Sequence, residues 1–433
     1  MKKILSCFLM VLFVMVNTST VMADTTKNKL TEIVVSNAEQ FVKAIGSNKK
    51  IILKPGTYDL SSIKKVNASN GTVTWLDVYD GKELNVKNVE NMVIEGEEKD
   101  KVHIITDARY ANIIAFSNCT NITINNIVAG HKAQEYECDA GVLHFEQSDN
   151  IVINRSLLYG CGSMGVSVYE VSNFTFNDSI ITDCSLRAAQ ISNSKYVRFN
   201  NSKFIKNRAY ADIFSIYNSN IVIFDGCTIA DNNNWQWNLI SATNTSIVLL
   251  DNCVIENNSN VKAWEDDYGI FFGADNSNIL VKDSKIKNNK YDALIDSYNL
   301  VYFDNCKFED PEEETLGTTN AQEFWSTIEY NDDVYLEGTI ERKKFEHPNG
   351  TKISRYVLKV DGVSYLSLGD STVRKVKDEL YIDVFSNNNA YDLNKLIGNG
   401  KKKVKIEGKA GYIGTAWYYS LGRVDIESLE IVK

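Results

Sequence analysis

The chain has 433 residues, 44% apolar and 24% charged, which is enough apolar surface for a large core and the wrong balance for disorder, collagen or a membrane bundle. Its 46 basic and 56 acidic residues give a formal charge of −10. That excludes a general nucleic-acid binder, which needs a basic surface.

Lys2 and Lys3 precede an apolar run from Ile4 to Val16, and Val21-Met22-Ala23 follows with small residues. This is the pattern of a signal peptide over residues 1–23, cut near Ala23. The run is too short to span a bilayer and no later stretch approaches 18 apolar residues. The expected product is therefore secreted, extracellular or periplasmic, with no membrane insertion. Loss of two lysines, leaving 44 basic against 56 acidic residues, takes the mature charge to −12.

A nine-residue box then recurs through the middle of the chain: an apolar residue, Ser or Cys three later, an apolar residue two after that, and Asn or Cys at the end. Its leading residues are Ile153, Phe176, Phe199, Phe224, Leu250, Val281 and Phe303, spaced by 23, 23, 25, 26, 31 and 22. Five positions ahead of each runs a second column: Ser148, Val171, Ser194, Ser219, Thr245, Asn276 and Tyr298. Alternating apolar pairs such as Ile151/Ile153 and Ile221/Ile223 read as short strands. Short strands with no helical stretch between them suit a solenoid whose coils stack about 4.8 Å apart. Residues at one phase then form ladders, and Asn207, Asn232, Asn258 and Asn289 read as a buried amide ladder.

These residues resemble the right-handed parallel β-helix superfamily of pectate-lyase-like proteins, in its bacterial repeat-region branch, over roughly residues 30 to 310. The resemblance implies an all-β chain. It makes Asn37–Gly46 an amphipathic cap and Ile51–Tyr58 the first coil, and a cap is also needed to cover the core and strand edge of that coil. A leucine-rich repeat shares the spacing, but Ser or Cys stands where that family needs a bulky leucine. Seven cysteines remain in the mature chain, so at least one is unpaired within a monomer. They read as small core hydrophobes, and no cluster suggests a structural zinc site.

Glu309-Asp310-Pro311-Glu312-Glu313-Glu314 breaks the repeat, giving domains of 24–310 and 331–433 with an acidic linker at 311–330. A calcium site there is conceivable but unsupported, so neither metal nor cofactor is expected. Longer alternating strands follow at Val334–Arg342, Ile353–Val360, Leu380–Val384, Lys403–Tyr412 and Val424–Val432, with a helix at Tyr391–Ile397. Five strands and one helix, with Gly338 and Gly408 at similar places, resemble a small OB-like β-barrel. Trp417, Tyr418 and Tyr419 are its candidate ring-stacking residues.

Two coils are longer than the rest. Their extra residues, His131 to Asp139 and Lys262 to Tyr268, fall at one phase and are expected to rise from one face as walls of a groove. Between them lie Arg187, Arg208, Tyr210, Asp212, Trp235 and Trp237, and the next strand points His144, Ser167, Gln190, Ser215 and Ser241 outward, with Glu146 and Tyr169 beyond. Trp264, Asp266 and Asp267 belong to the second wall. Aromatic platforms with a polar floor suit a polysaccharide or cell-surface glycan, and the resemblance places enzymes' active sites on the same outer face. Outward polar residues are also what any solvated sheet shows. Arg187, Arg208, Asp212 and His144 are the candidates for turnover, but no lyase calcium motif or hydrolase aspartate pair carries over. The expected function is glycan binding by a monomer. The alternatives are a polysaccharide lyase or glycosidase, and a structural or adhesive repeat that binds another protein.

Overall fold

The computed structural model describes residues 30–63, 71–133, 137–160, 163–234, 237–260, 270–291, 293–295, 300–309, 319–320, 327–328, 333–347, 350–360, 365–367, 373–375, 381–386, 391–412 and 422–432. The expected signal peptide and the linker residues 311–318 and 321–326 lie outside this set.

Each coil has three short strands separated by tight turns. A representative coil is Arg187–Ser192, Lys195–Asn200 and Lys203–Ile205. Every strand pairs in parallel with the same-phase strand of the next coil, building three long sheets. Sheet A has 12 strands from Thr31–Val35 to Thr319–Asn320, and sheet B has 10 from Gly56–Asp59 to Lys307–Glu309. Sheet C also has 10, from Val73–Val78 to Ala293–Ile295; its first two strands form an antiparallel hairpin. Sheet A thus continues into the stretch read as linker.

Turn chemistry explains the asparagine content. A left-handed residue ends each strand, followed by a small buried polar one: Asn193 (φ 51°) before Ser194, Asn201 (φ 48°) before Ser202, Lys206 (φ 58°) before Asn207. Asn tolerates this conformation better than most side chains. The buried partner then satisfies the turn backbone. Val171 N–H donates to Ser194 Oγ at 3.0 Å, whose hydroxyl donates to Ser192 O at 2.8 Å. The amide ladder forms as expected. Asn207 donates its backbone and side-chain N–H to Asn232 Oδ1 (3.0 and 2.9 Å), Asn232 does the same to Asn258 (3.1 and 2.8 Å), and Asn258 to Asn289 (3.1 and 3.0 Å).

One column member differs from expectation. Thr245 N–H donates to Ser277 Oγ, while Asn276 stacks with Asn244 in the exposed left-handed position. The turn after Ser277 is one residue shorter, so counting back from Val281 misses it by one. Tyr298 lies outside the described residues.

The core is a stack of apolar side chains along the axis, with Phe116 on Phe145 and Phe199 on Phe224 at ring centroids of 4.9 and 4.8 Å. Helix Ala38–Ala44, capped by the Asn37 side chain, closes the first coil with Phe41 and Val42 fully buried. Cys184, Cys227 and Cys253 are buried free thiols, consistent with small core hydrophobes, whereas Cys138 is disulfide-bonded and departs from that reading. Cys161 is outside the described residues.

The C-terminal region forms a closed barrel in the order Asp333–Glu346, Lys352–Val360, Tyr381–Ser386, Gly422–Ile431, Lys401–Tyr412, returning to the first strand. Helix Leu393–Leu396 precedes its fourth strand in sequence. A Cβ at Gly338 or Gly408 would sit 2.2 Å from the Lys359 or Asp425 carbonyl oxygen, so both glycines permit close strand approach. The barrel packs on the outer face of sheet A, where Tyr335 joins Tyr196, Ile221, Ile223, Ile247, Leu249, Leu280 and Tyr302 in one buried cluster. Charged pairs surround it: Arg198 with Glu407, Lys282 with Glu337 at 3.0 Å, and Lys405 with Asp251 at 3.1 Å.

Candidate functional site

Sheet B and sheet C leave outer faces to solvent, and the candidate residues fall on sheet C. Its register stacks His144, Ser167, Gln190, Ser215 and Ser241 in one column. Two residues on, Glu146, Tyr169, Ser192, Tyr217 and Thr243 form the next. The first column is as read from the sequence, and so are Glu146 and Tyr169 of the second. The structure adds a third at the strand starts. Met164 pairs with Arg187, and Asn238 N–H donates to Asp212 Oδ1 at 2.9 Å. It is generated by two consecutive inward residues, such as Ala188-Ala189, Ile213-Phe214 and Leu239-Ile240, all buried. The alternation slips at each of these pairs, so the residue before them turns outward. Paired apolar residues ahead of each polar column were the available signal for Asn238 and for Asn112, whose side chain accepts from Gly141 N–H at 3.0 Å.

Polar groups converge at the middle of this face. His144 Nδ1 lies 3.0 Å from Ser167 Oγ, and burial lowers its pKa against the opposing pull of Glu146 and Glu83. Arg187 Nη1 donates to Gln190 Oε1 at 2.8 Å. Burial lowers the Arg187 pKa and raises that of Asp212, while each charge favours the other's ionised form. The arrangement holds an imidazole, a hydroxyl, an amide, a guanidinium and a carboxyl within neighbouring coils. Arg208 is exposed in the turn that bridges to Asn233.

Aromatic residues line both edges. Tyr210 and Trp237 are 49% and 48% exposed in the turns leading into the strands, and Tyr169 and Tyr217 are 36% and 50% exposed beyond the polar floor. Tyr79 and Tyr110, with ring centroids 5.1 Å apart, extend the first edge toward the capped end. Trp235, Trp264, Asp266 and Asp267 lie outside the described residues, as do Gln134, Glu135 and Tyr136 of the first expected wall. Among the described residues no group of three His, Cys, Asp or Glu is placed to hold a metal, and no helix is long and apolar enough to cross a membrane.

A family model described as "Right handed beta helix region" matches residues 211–323. The solenoid ahead of the barrel is a right-handed parallel β-helix. The β-helix is similar to a pectate lyase from Paenibacillus sp. 0602, with 12% identity, 69% of this chain and 82% of that chain covered, and a TM-score of 0.40. It is also similar to a pectin methylesterase from Aspergillus niger, with 11% identity, 67% and 88% covered, and a TM-score of 0.40. An alginate lyase from Paenibacillus sp. str. FPU-7 is 10% identical, with 67% and 98% covered and a TM-score of 0.34. No curated protein matches the sequence. Identities of this order leave the chemistry of the β-helix to its own residues.

Proposed function

We propose that this is an exported β-helix protein that binds a polysaccharide or cell-surface glycan along the outer face of sheet C. The observation that carries the reading is the distribution of exposed rings. Of the ten most exposed large apolar side chains among the described residues, six (Tyr79, Tyr110, Tyr169, Tyr210, Tyr217 and Trp237) border this one face. Exposed rings flanking a floor of hydroxyls and amides offer stacking for pyranose faces and hydrogen bonds for sugar hydroxyls. The strand order of the C-terminal barrel, with its one parallel pair between the third and fifth strands, supports an OB-like reading of that domain.

Affinity electrophoresis through gels containing soluble polysaccharides tests the proposal. Tyr217→Ala and Trp237→Ala are each expected to weaken retardation roughly 3- to 10-fold, and unchanged retardation in both would refute it. A second reading, glycoside hydrolysis, is favoured by the Asp212 carboxyl, whose raised pKa suits a general acid. It requires new reducing ends that Asp212→Asn abolishes.

A further inference from the structure

The charge of the sheet C face selects among glycans. Across its three outward columns the carboxylates are Glu83, Asp212, Glu146 and Asp275. The cations are Arg187 and, at the capped end, Lys87. Arg187 is already committed to Gln190 and faces Asp212. Glu83 is buried and accepts both the backbone and side-chain N–H of Asn112, at 2.7 and 2.8 Å, so it is held in place behind the face. At the turn edge, three cations among the described residues have partners as well. Arg109 pairs with Glu137 at 3.5 Å, Lys132 reaches Asp59 at 2.6 Å and Asp107 at 3.2 Å, and Arg208 is itself engaged. The surrounding solenoid is strongly acidic: residues 24–330 contain 27 Lys and Arg against 41 Asp and Glu.

A uronate polymer presents a carboxylate on every sugar. Laid along this face it would set like charges against each other, met among the described residues of the three columns only by Arg187, already bonded to Gln190, and by Lys87 at the capped end, and such like-charge juxtaposition disfavours binding. Hydroxyl and acetamido groups carry no such penalty. The donors and acceptors they need are present in Ser167, Gln190, Ser215, Asn238 and Ser241, between the rings of Tyr169, Tyr210, Tyr217 and Trp237. We infer that the ligand of sheet C is an uncharged polysaccharide, and that the face rejects polyuronates. This rests on the glycan-binding reading of the same face.

The test is affinity electrophoresis of the full chain in gels containing hydroxyethyl cellulose, dextran, soluble glycol chitin, polygalacturonate or alginate, with calcium and with a chelator. Retardation is expected in at least one of the three uncharged polymers, unaffected by added sodium chloride, with uronate binding at least tenfold weaker under both calcium conditions. The double variant Glu146→Lys/Asp275→Lys is expected to gain retardation in polygalacturonate. Retardation of the unaltered protein by either uronate polymer, whether or not calcium is needed, would overturn the inference while leaving glycan binding standing. A double variant that gains no uronate binding would also overturn it, because charge would then not be the selector. No retardation in any gel would overturn the glycan reading and this inference together.

Discussion

Asn258 occupies the middle of the amide ladder and shows how a single residue type sets the coil. Its Oδ1 accepts both N–H groups of Asn232, and its Nδ2 donates to Ile229 O at 2.9 Å and to Asn289 Oδ1 at 3.0 Å. In Asn258→Ala these partners lose their hydrogen bonds inside a buried coil. Each unsatisfied buried group costs about 1–3 kcal/mol, so the variant is expected to lose about 3 kcal/mol or more in urea denaturation. Asn257→Ser, one residue earlier on the exposed turn, changes a left-handed position rather than the ladder and is expected to cost well under half as much. The buried column was legible in the sequence because its chemistry demands Asn, Ser, Thr or Cys at a fixed phase. The left-handed turn residues were not, because Gln147, Arg155, Glu170 and Lys206 fill the same conformation as Asn elsewhere. Backbone geometry there tolerates many side chains at modest cost, and the signal is diluted.

At the level of elements, the strands of sheet A record where the barrel sits. In the early coils their outward positions are polar or mixed, as at Thr123, Val152 and Thr175. From Ile223 through Leu249 and Leu280 to Tyr302 the same column turns apolar, and Ile221–Phe224 and Ile247–Leu250 are buried on both faces. A run without alternation is the mark of a strand covered on both sides. Taking Ile221/Ile223 as one alternating pair hides it; reading four apolar residues in succession shows it. The barrel's own strands and helix were legible to within a few residues, since long alternating strands carry their period plainly. Its docking depends on side chains far apart in sequence, 55 positions for Lys282 with Glu337 and 209 for Arg198 with Glu407, beyond the reach of periodicity.

That interface titrates at alkaline pH. Asp251 and Glu337 hold the Lys405 pKa above 10.5 against the cost of burial, and burial pushes the Tyr335 hydroxyl up from 10.0. Both groups favour the docked state in their protonated forms, so their contribution is complete below about pH 10 and is lost as pH rises beyond it. Asp225, whose carboxyl is raised mainly by burial and by Asp251, opposes docking when ionised and does so less as pH falls. Small-angle scattering and limited proteolysis are expected to show the barrel seated from mildly acidic to neutral pH and released above pH 10, with Lys405→Met shifting that alkaline limit. A barrel that separates first on acidification would contradict this account of the interface.

Over the whole molecule, the repeat turns a one-dimensional pattern into a surface. Parallel coils place same-phase residues in columns, so the polar floor of sheet C was readable from spacing alone, as were Gln190, Glu146 and Tyr169. The third column with Arg187, Asp212 and Asn238 needs the slip at paired inward residues, and sequence spacing placed Arg187 and Asp212 merely in the preceding loop. Convergence of His144 with Ser167 and of Arg187 with Asp212 is a property of side-chain reach across coils, which no period reports. The barrel covers the later coils of sheet A and leaves sheet C clear, so the docking face and the face proposed for the ligand are separate.

Hydroxyl-radical footprinting of the full chain, with and without the uncharged polymer that retards it most, tests this division directly. The account predicts that oxidation of Tyr169, Tyr210, Tyr217 and Trp237 falls when the polymer is bound, while that of Phe308 and Val432, exposed away from sheet C, stays the same. Equal oxidation of the four sheet C rings in both states, or protection confined to residues outside that face, would contradict it.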